Sequence, residues 1–296
     1  MLRFSTWAGG NVLRRLTSLF YAYRASYRMR TQRFDKAISD LDRLIQINPN
    51  NPYAHVNRGT AYQGSGNYGR AIDDFNQALG IAPRIPMVYF NRGISWKVLG
   101  NYERAIADQS EAIALFPDFA NAHGELGVVY QLRRDFDASI ASLTAAINLA
   151  PSEPIHLKNR GLTLFYQGDF RAAAIDLRRA FDLASDTYTL LFLYLARSKA
   201  GDDAVAELET RAAKLRNKTW PAAIVGLYLG RLTAEAALAA AMTPDEAAEA
   251  QFYLGEWHLM RNNRVAAESA LRRAVQSLPP LFSEYTGAVV SLERFK

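Results

Sequence analysis

The 296-residue chain has no cysteine. That excludes disulfides, thiol catalysis and cysteine-ligated metals, along with the lipid-bearing cysteine of a bacterial lipoprotein. No run of the sequence approaches the ~20 apolar residues of a membrane span. Acidic residues are missing from the first 34 positions, where Arg3, Arg14, Arg15, Arg24, Arg28, Arg30 and Arg33 stand unopposed. With +7 there and a formal +6 overall, residues 35–296 carry −1. Basic residues gathered at one end do not form the extended stripe that a nucleic-acid groove needs, so no nucleic-acid partner is expected. The segment reads as a solvated face, with contact to an anionic membrane surface or a partner as the alternative, confined to residues 1–34. Leu16 to Tyr23 resembles a secretory signal only weakly, because it contains Thr17 and Ser18 and runs into Arg24 without a small-residue cleavage site. On the chain as given the expected location is cytoplasmic; a periplasmic or outer-membrane-associated one would follow from a start lying further upstream.

Signatures of catalysis are also scarce. His55, His123, His156 and His258 have no second ligand at metal-binding spacing. Gly64-Ser65-Gly66-Asn67-Tyr68-Gly69 matches a dinucleotide fingerprint in form, but no strand precedes it. Asn217-Lys218-Thr219 matches a glycosylation sequon by form alone. No nucleophile elbow, phosphate loop or zinc-protease helix occurs, so the chain is read as a non-enzyme with no catalytic, cofactor-binding or metal residues.

What is abundant is repetition. Pro49, Pro83, Pro117 and Pro151 recur every 34 residues, and Gly59, Gly93, Gly127 and Gly161 keep the same interval. This period predicts stacked helix-turn-helix pairs. In the reference pair, a first helix from Pro52 ends in Gly64-Ser65-Gly66, Asn67 caps a second helix, and Ala82-Pro83 stops it. Small residues (Gly59, Ala71, Ala78) alternate with large ones (Tyr62, Tyr68, Phe75), the mixture that close-packed helices need.

Gly59, Tyr62, Tyr68, Ala71, Phe75, Ala78 and Pro83 together resemble the tetratricopeptide repeat (TPR) pattern. The resemblance implies an all-α, right-handed superhelical solenoid of six to seven repeats closed by a C-terminal helix. The expected order is a basic segment at 1–17 and repeats at 18–51, 52–85, 86–119, 120–153 and 154–185. A divergent helical region at 186–247, a last repeat at 248–281 and a capping helix at 282–296 complete it.

Arginine precedes the repeat glycine at Arg58, Arg92 and Arg160, and sixteen residues later stand Asp74, Asp108 and Asp176; Arg24 and Asp40 repeat the relation. Both partners are lost together at Leu126 with Ser142 and at Leu254 with Ala270. Joint loss predicts a salt bridge between the two helices of each repeat, a surface pair contributing ~0–1 kcal/mol.

A solenoid of this kind offers its first helices as a concave face suited to a protein or peptide. The stripe expected to contact a partner contains Tyr53, Asn57, Phe90, Asn91, Ile94, Lys97, Gln131, Lys158, Asn159 and Phe165. Asn57, Asn91 and Asn159 match the asparagine that the resemblance assigns to bound peptide backbones. Val56, Thr60, Phe90 and Ile94 stand where some relatives place a carboxylate clamp. Coverage of the aromatics by neighbouring helices or by a second copy is the alternative, and homodimerisation fits either reading.

After residue 186 the period weakens, leaving Leu193-Tyr194-Leu195-Ala196, Leu227-Tyr228-Leu229-Gly230 and Phe252-Tyr253-Leu254-Gly255. With Asn159-Arg160-Gly161 before them and Phe282-Ser283-Glu284-Tyr285 after, the order over about residues 86–292 is similar to the NlpI group of bacterial repeat lipoproteins. That similarity implies a dimeric, non-catalytic adaptor that brings cell-wall hydrolases to a protease. The other expectation is a structural subunit of an envelope or membrane-associated assembly held through the arginine-rich N-terminus.

Overall fold

The computed structural model describes residues 5–215 and 219–295, with side chains from residue 13 onward. Arg3, and Asn217 and Lys218 of the formal sequon, lie outside the described residues. Among those described, the regular elements are helices, and they divide into two compact units, residues 1–125 and 126–296.

The N-terminal unit contains three helical hairpins. These are α1 (Ser5–Arg30) with α2 (Phe34–Ile47), α3 (Pro52–Gly64) with α4 (Tyr68–Ile81), and α5 (Pro86–Val98) with α6 (Tyr102–Leu115). The division falls within the next helix, α7 (Ala120–Leu132). Each hairpin turn needs one left-handed residue, found at a strict 34-residue interval: Gln32, Gly66 and Gly100, with φ of 55°, 78° and 76°. Glycine adopts this geometry without strain, and Gln32 does so at a cost. After the two glycines the next residue caps the second helix, as Asn67 Oδ1 accepts from the backbone N–H of Arg70 and Asn101 Oδ1 from that of Arg104, whereas Arg33 after Gln32 makes no such bond. Within the hairpins, glycine sets how closely the helices approach. A Cβ on Gly59 would lie 2.7 Å from the Phe75 ring.

The arginine–aspartate relation is a forked bridge, with Arg58 Nε and Nη2 donating to Asp74 at 2.8 and 2.6 Å and Arg92 repeating the pattern on Asp108. Arg24 donates to Asp40 in the same way, joined there by Arg28. The third nitrogen of each fork reaches sixteen residues backwards: Arg58 Nη1 to Asp42 and Arg92 Nη1 to Asn76. One guanidinium therefore ties its own hairpin and also pins it to the preceding one. These are not surface pairs, because Asp74 is only 3 % exposed. The modest worth expected from sequence is corrected upward: removing one partner strands a desolvated carboxylate.

The C-terminal unit begins with the remainder of α7 and continues through α8 (Phe136–Leu149), α9 (Pro154–Gln167) and α10 (Phe170–Leu183) in the same grammar. Arg134, Gly168 and Asn262 are among its left-handed turn residues, with Gly201 and Gly230, and Asp135, Asp169 and Asn263 cap the helices that follow the first three. Arg160 bridges to Asp176 and back to Thr144. The pattern then loosens into α11 (Thr187–Lys199), α12 (Val205–Ala212), α13 (Ala222–Tyr228) and α14 (Ala234–Ala239). It recovers in α15 (Pro244–Met260), started by a Thr243–Glu246 capping box, and in α16 (Arg264–Ser277). The last helix, α17 (Ser283–Glu293), packs on α16, α15 and α9.

One continuous core joins α9 to α17, built around Phe165, Tyr166, Phe192, Phe252 and Tyr253, beside a small cluster of Ile147, Leu157 and Ala180. The N-terminal unit has instead a series of small cores, one between Ala37, Leu41, Ala54 and Ala61 and another around Phe75 and Val88.

Candidate partner-binding surface

In the N-terminal unit the inner stripe is carried by α3 and α5. Tyr53, on the first turn of α3, is 64 % exposed; Asn57, one turn further, is exposed as well. Phe90 on α5 is half-buried, its ring 4.9 Å from that of Phe119, which meets exposed Phe116 at 5.8 Å. Asn91 and Ile94 are half-buried beside it, and Met87 is exposed. The surface thus mixes aromatic area with amides on rigid helices, a composition that holds apolar side chains and hydrogen-bonds an extended backbone.

Gln63 at the end of α3 and the stripe residue Lys97 serve the scaffold itself. Gln63 Nε2 donates to Asn91 O at 2.7 Å and to Ser95 Oγ at 2.9 Å, and Lys97 Nζ lies 2.6 Å from Glu125 Oε2. Both links run from one first helix to the next, 28 to 32 residues on. Lys97 is therefore neutralised within the chain. Two of the histidines are held locally: His55 Nε2 lies 3.0 Å from Pro49 O and His123 Nε2 3.0 Å from Pro117 O, the same contact two periods apart.

The C-terminal unit treats its share of the stripe differently. Lys158 Nζ lies 3.4 Å from Asp186 Oδ1 and 5.9 Å from the Tyr188 ring centre, Asn159 is half-buried and Gln131 is nearly buried. Phe165 is not a surface residue: it is 1 % exposed, edge-on to Phe170 and Phe192 at 5.4 and 5.5 Å. The reason is tertiary. The helices that follow α9 supply those rings, and Arg294, just after α17, donates to Phe165 O and Tyr166 O while Tyr166 Oη donates to Ser283 O, so the end of the chain is tied to α9. Of the ten expected contact residues, Tyr53 and Asn57 are exposed and Phe90, Asn91 and Ile94 half-buried, whereas Phe165 belongs to the core.

Sequence reading also missed a polar cavity of about 640 Å³ in the C-terminal unit, lined by Asp186, Tyr188, Trp220 and Pro221 among others. Beside it, buried Glu249 accepts hydrogen bonds from Tyr188 Oη (2.9 Å) and Trp220 Nε1 (2.7 Å), and burial pushes its pKa up. Glu249 follows no 34-residue rhythm, so periodicity gave no sign of it. Among the described residues no group of three histidine, aspartate or glutamate side chains could hold a metal.

Two tetratricopeptide-repeat families match the chain, over residues 24–92 and 90–154. No curated protein sequence matches it. Its fold is similar to the C-terminal part of a TPR repeat-containing protein from Cytophaga hutchinsonii, at 17% identity and a TM-score of 0.56 over 90% of this chain and 98% of that one. It is also similar to PilF of Pseudomonas aeruginosa, at 18% and 0.60 over 74% and 92%. A third is PilW, a type IV pilus biogenesis factor, at 21% and 0.61 over 67% and 92%. Residues 24–154 are thus tetratricopeptide repeats, and the chain has the all-helical fold of that repeat class.

Proposed function

We propose that the protein is a non-catalytic interaction scaffold that holds an extended peptide or protein segment on the inner stripe of its N-terminal unit. The observation that carries this reading is the accessible group of Tyr53, Asn57, Met87 and Phe90 on two consecutive inner helices, held in register by the Gln63 tie. Exposed aromatics beside amides on a rigid support lose little conformational entropy on binding. Tyr53→Ala with Asn57→Ala tests it in native lysate, with retained proteins quantified by mass spectrometry. Loss of the retained partners at unchanged helicity is the expected result; identical retention by both proteins would sink the proposal.

A finer reading is an adaptor of the NlpI kind, bringing cell-wall hydrolases to a protease. It rests on the order of sequence phrases between residues 86 and 292. It requires those two enzyme classes among the captured partners, and their absence from a capture in which others are found would remove it.

A further inference from the structure

The outer side of α1 is apolar where the repeat pattern asks for small residues. Phe20 and Tyr27 occupy the places held one and two periods later by Ala54 and Ala61 on α3 and by Val88 and Ser95 on α5. Those four are buried, with Ala54 and Ala61 packed among residues of the α1–α2 hairpin. Phe20 and Tyr27 are 54 % and 47 % exposed, and Leu13, Leu16 and Tyr23 extend the same face at three- and four-residue spacing. The opposite side of α1, through Ala22, Ala25 and Met29, packs on α2, so the helix is apolar on two sides.

We infer that this face of α1 docks onto an anionic lipid bilayer, lying in the plane of its surface. Two features select that occupant. Helix-on-helix stacking at these positions uses alanine, serine or valine elsewhere in the unit, and rings of Phe20 and Tyr27 size hold a second copy's helix too far away for that packing. Charge points the same way: residues 1–34 hold seven arginines and no acid, so two such faces repel each other while an anionic surface attracts them. Arg24 and Arg28 are partly spent on Asp40 and Arg14 donates to Ile47 O, leaving exposed Arg15, Arg30 and Arg33 beside the apolar stripe. Leucine, phenylalanine and tyrosine on one side with arginine at the margins is the composition of a helix seated at the headgroup boundary. No described helix is long and apolar enough to cross a membrane, which is compatible with lying on one.

The inference goes beyond the peptide-binding reading and is tested separately from it. Full-length protein is floated with phosphatidylcholine vesicles containing about 30 mol% phosphatidylglycerol, and with phosphatidylcholine alone. Binding to the anionic vesicles that weakens at least about tenfold without phosphatidylglycerol, and weakens with added salt, is expected. Leu16→Glu with Tyr23→Glu changes exposed positions only and is expected to reduce vesicle binding at least about tenfold while helicity and Tyr53-dependent partner capture stay unchanged. Arg15→Gln, Arg30→Gln and Arg33→Gln together are expected to remove the preference for anionic lipid. Absence of binding to anionic vesicles overturns the inference. So does a Leu16→Glu, Tyr23→Glu protein that binds vesicles as the wild type does; lower self-association of that variant than of the wild type in sedimentation would then make a second copy the occupant.

Discussion

Gln63 and Phe165 hold the same place in the repeat, three periods apart, and take opposite roles. Gln63 stays at the surface of the N-terminal unit and hydrogen-bonds to the next inner helix. Phe165 lies in an aromatic cluster of the C-terminal unit, its ring against Phe170 and Phe192. The N-terminal unit is thus held by forked ion pairs and small cores, and its inner face is left open. The C-terminal unit gives up that face to make a single large core. A shared repeat period therefore does not imply a shared binding surface, because the helices that follow decide whether the inner row is available.

The sharpest way to break this comparison is to remove the keystone of the closed unit. Phe192 touches Phe165, Tyr166, Phe252 and Tyr253. Phe192→Ala opens a cavity among large buried rings and is expected to cost about 3–5 kcal/mol. Native-state hydrogen exchange should show the loss in α9, α11, α15 and α17 with α3 to α6 little affected; equal loss in both units would mean that the two are not separately built.

Next in size is the ladder of the open unit. Arg92→Leu leaves Asp108 desolvated and unpaired, and because the guanidinium is partly exposed the expected cost is about 2–4 kcal/mol by chemical denaturation. Adding Asp108→Ser reproduces the Leu126 and Ser142 combination that the chain itself uses, and is expected to restore most of the loss. If the double variant is as unstable as the single one, the bridge is not the reason that the two residues vary together.

That covariation was legible in the sequence, as were the turn positions, the caps and the small residues, since each is a local demand repeated every 34 residues. Asn67 had to cap a helix and Gly66 had to turn left wherever the chain later went. The third arm of each arginine, to Asp42, Asn76 or Thr144, was not read because its acceptor differs from repeat to repeat. The fate of Phe165 was not legible for another reason. A phenylalanine on the first helix of a repeat looks the same whether solvent or Phe192 of α11 lies against its ring. Tyr53 and Asn57 are thus exposed for local reasons, whereas Phe165 is buried by the helices that follow α9.

A third test weighs charge inside the closed unit. Glu207 receives hydrogen bonds from Arg178, Arg197 and Arg211, at 2.5 to 3.2 Å. Burial alone would raise its pKa, but the three guanidinium groups outweigh that and lower it from 4.5 to about 2. A depressed folded-state value gives stability that is fully present above the unfolded value and lost as pH falls towards the folded one. Glu207→Gln is expected to cost about 1–3 kcal/mol at neutral pH. The gap from wild type should close progressively below pH 4.5, towards about 2. A gap independent of pH would assign the loss to packing.

The smallest expected effects lie in the turns, where the two units are alike. Gln32 in the open unit and Asn262 in the closed one hold φ of 55° and 57° at equivalent turn places. Glycine relieves the clash of Cβ in this region but enlarges the freedom of the unfolded chain, so the gain from substitution is the difference of two opposed terms. Gln32→Gly is expected to stabilise by about 0.5–1 kcal/mol. Asn262→Gly should gain less, because asparagine tolerates the left-handed region better than glutamine does. The order of the two, read from denaturation midpoints, separates local strain from tertiary setting. A larger gain at Asn262 would mean that packing in the closed unit reaches even its turns, and the division between a local repeat grammar and a long-range closure would no longer hold.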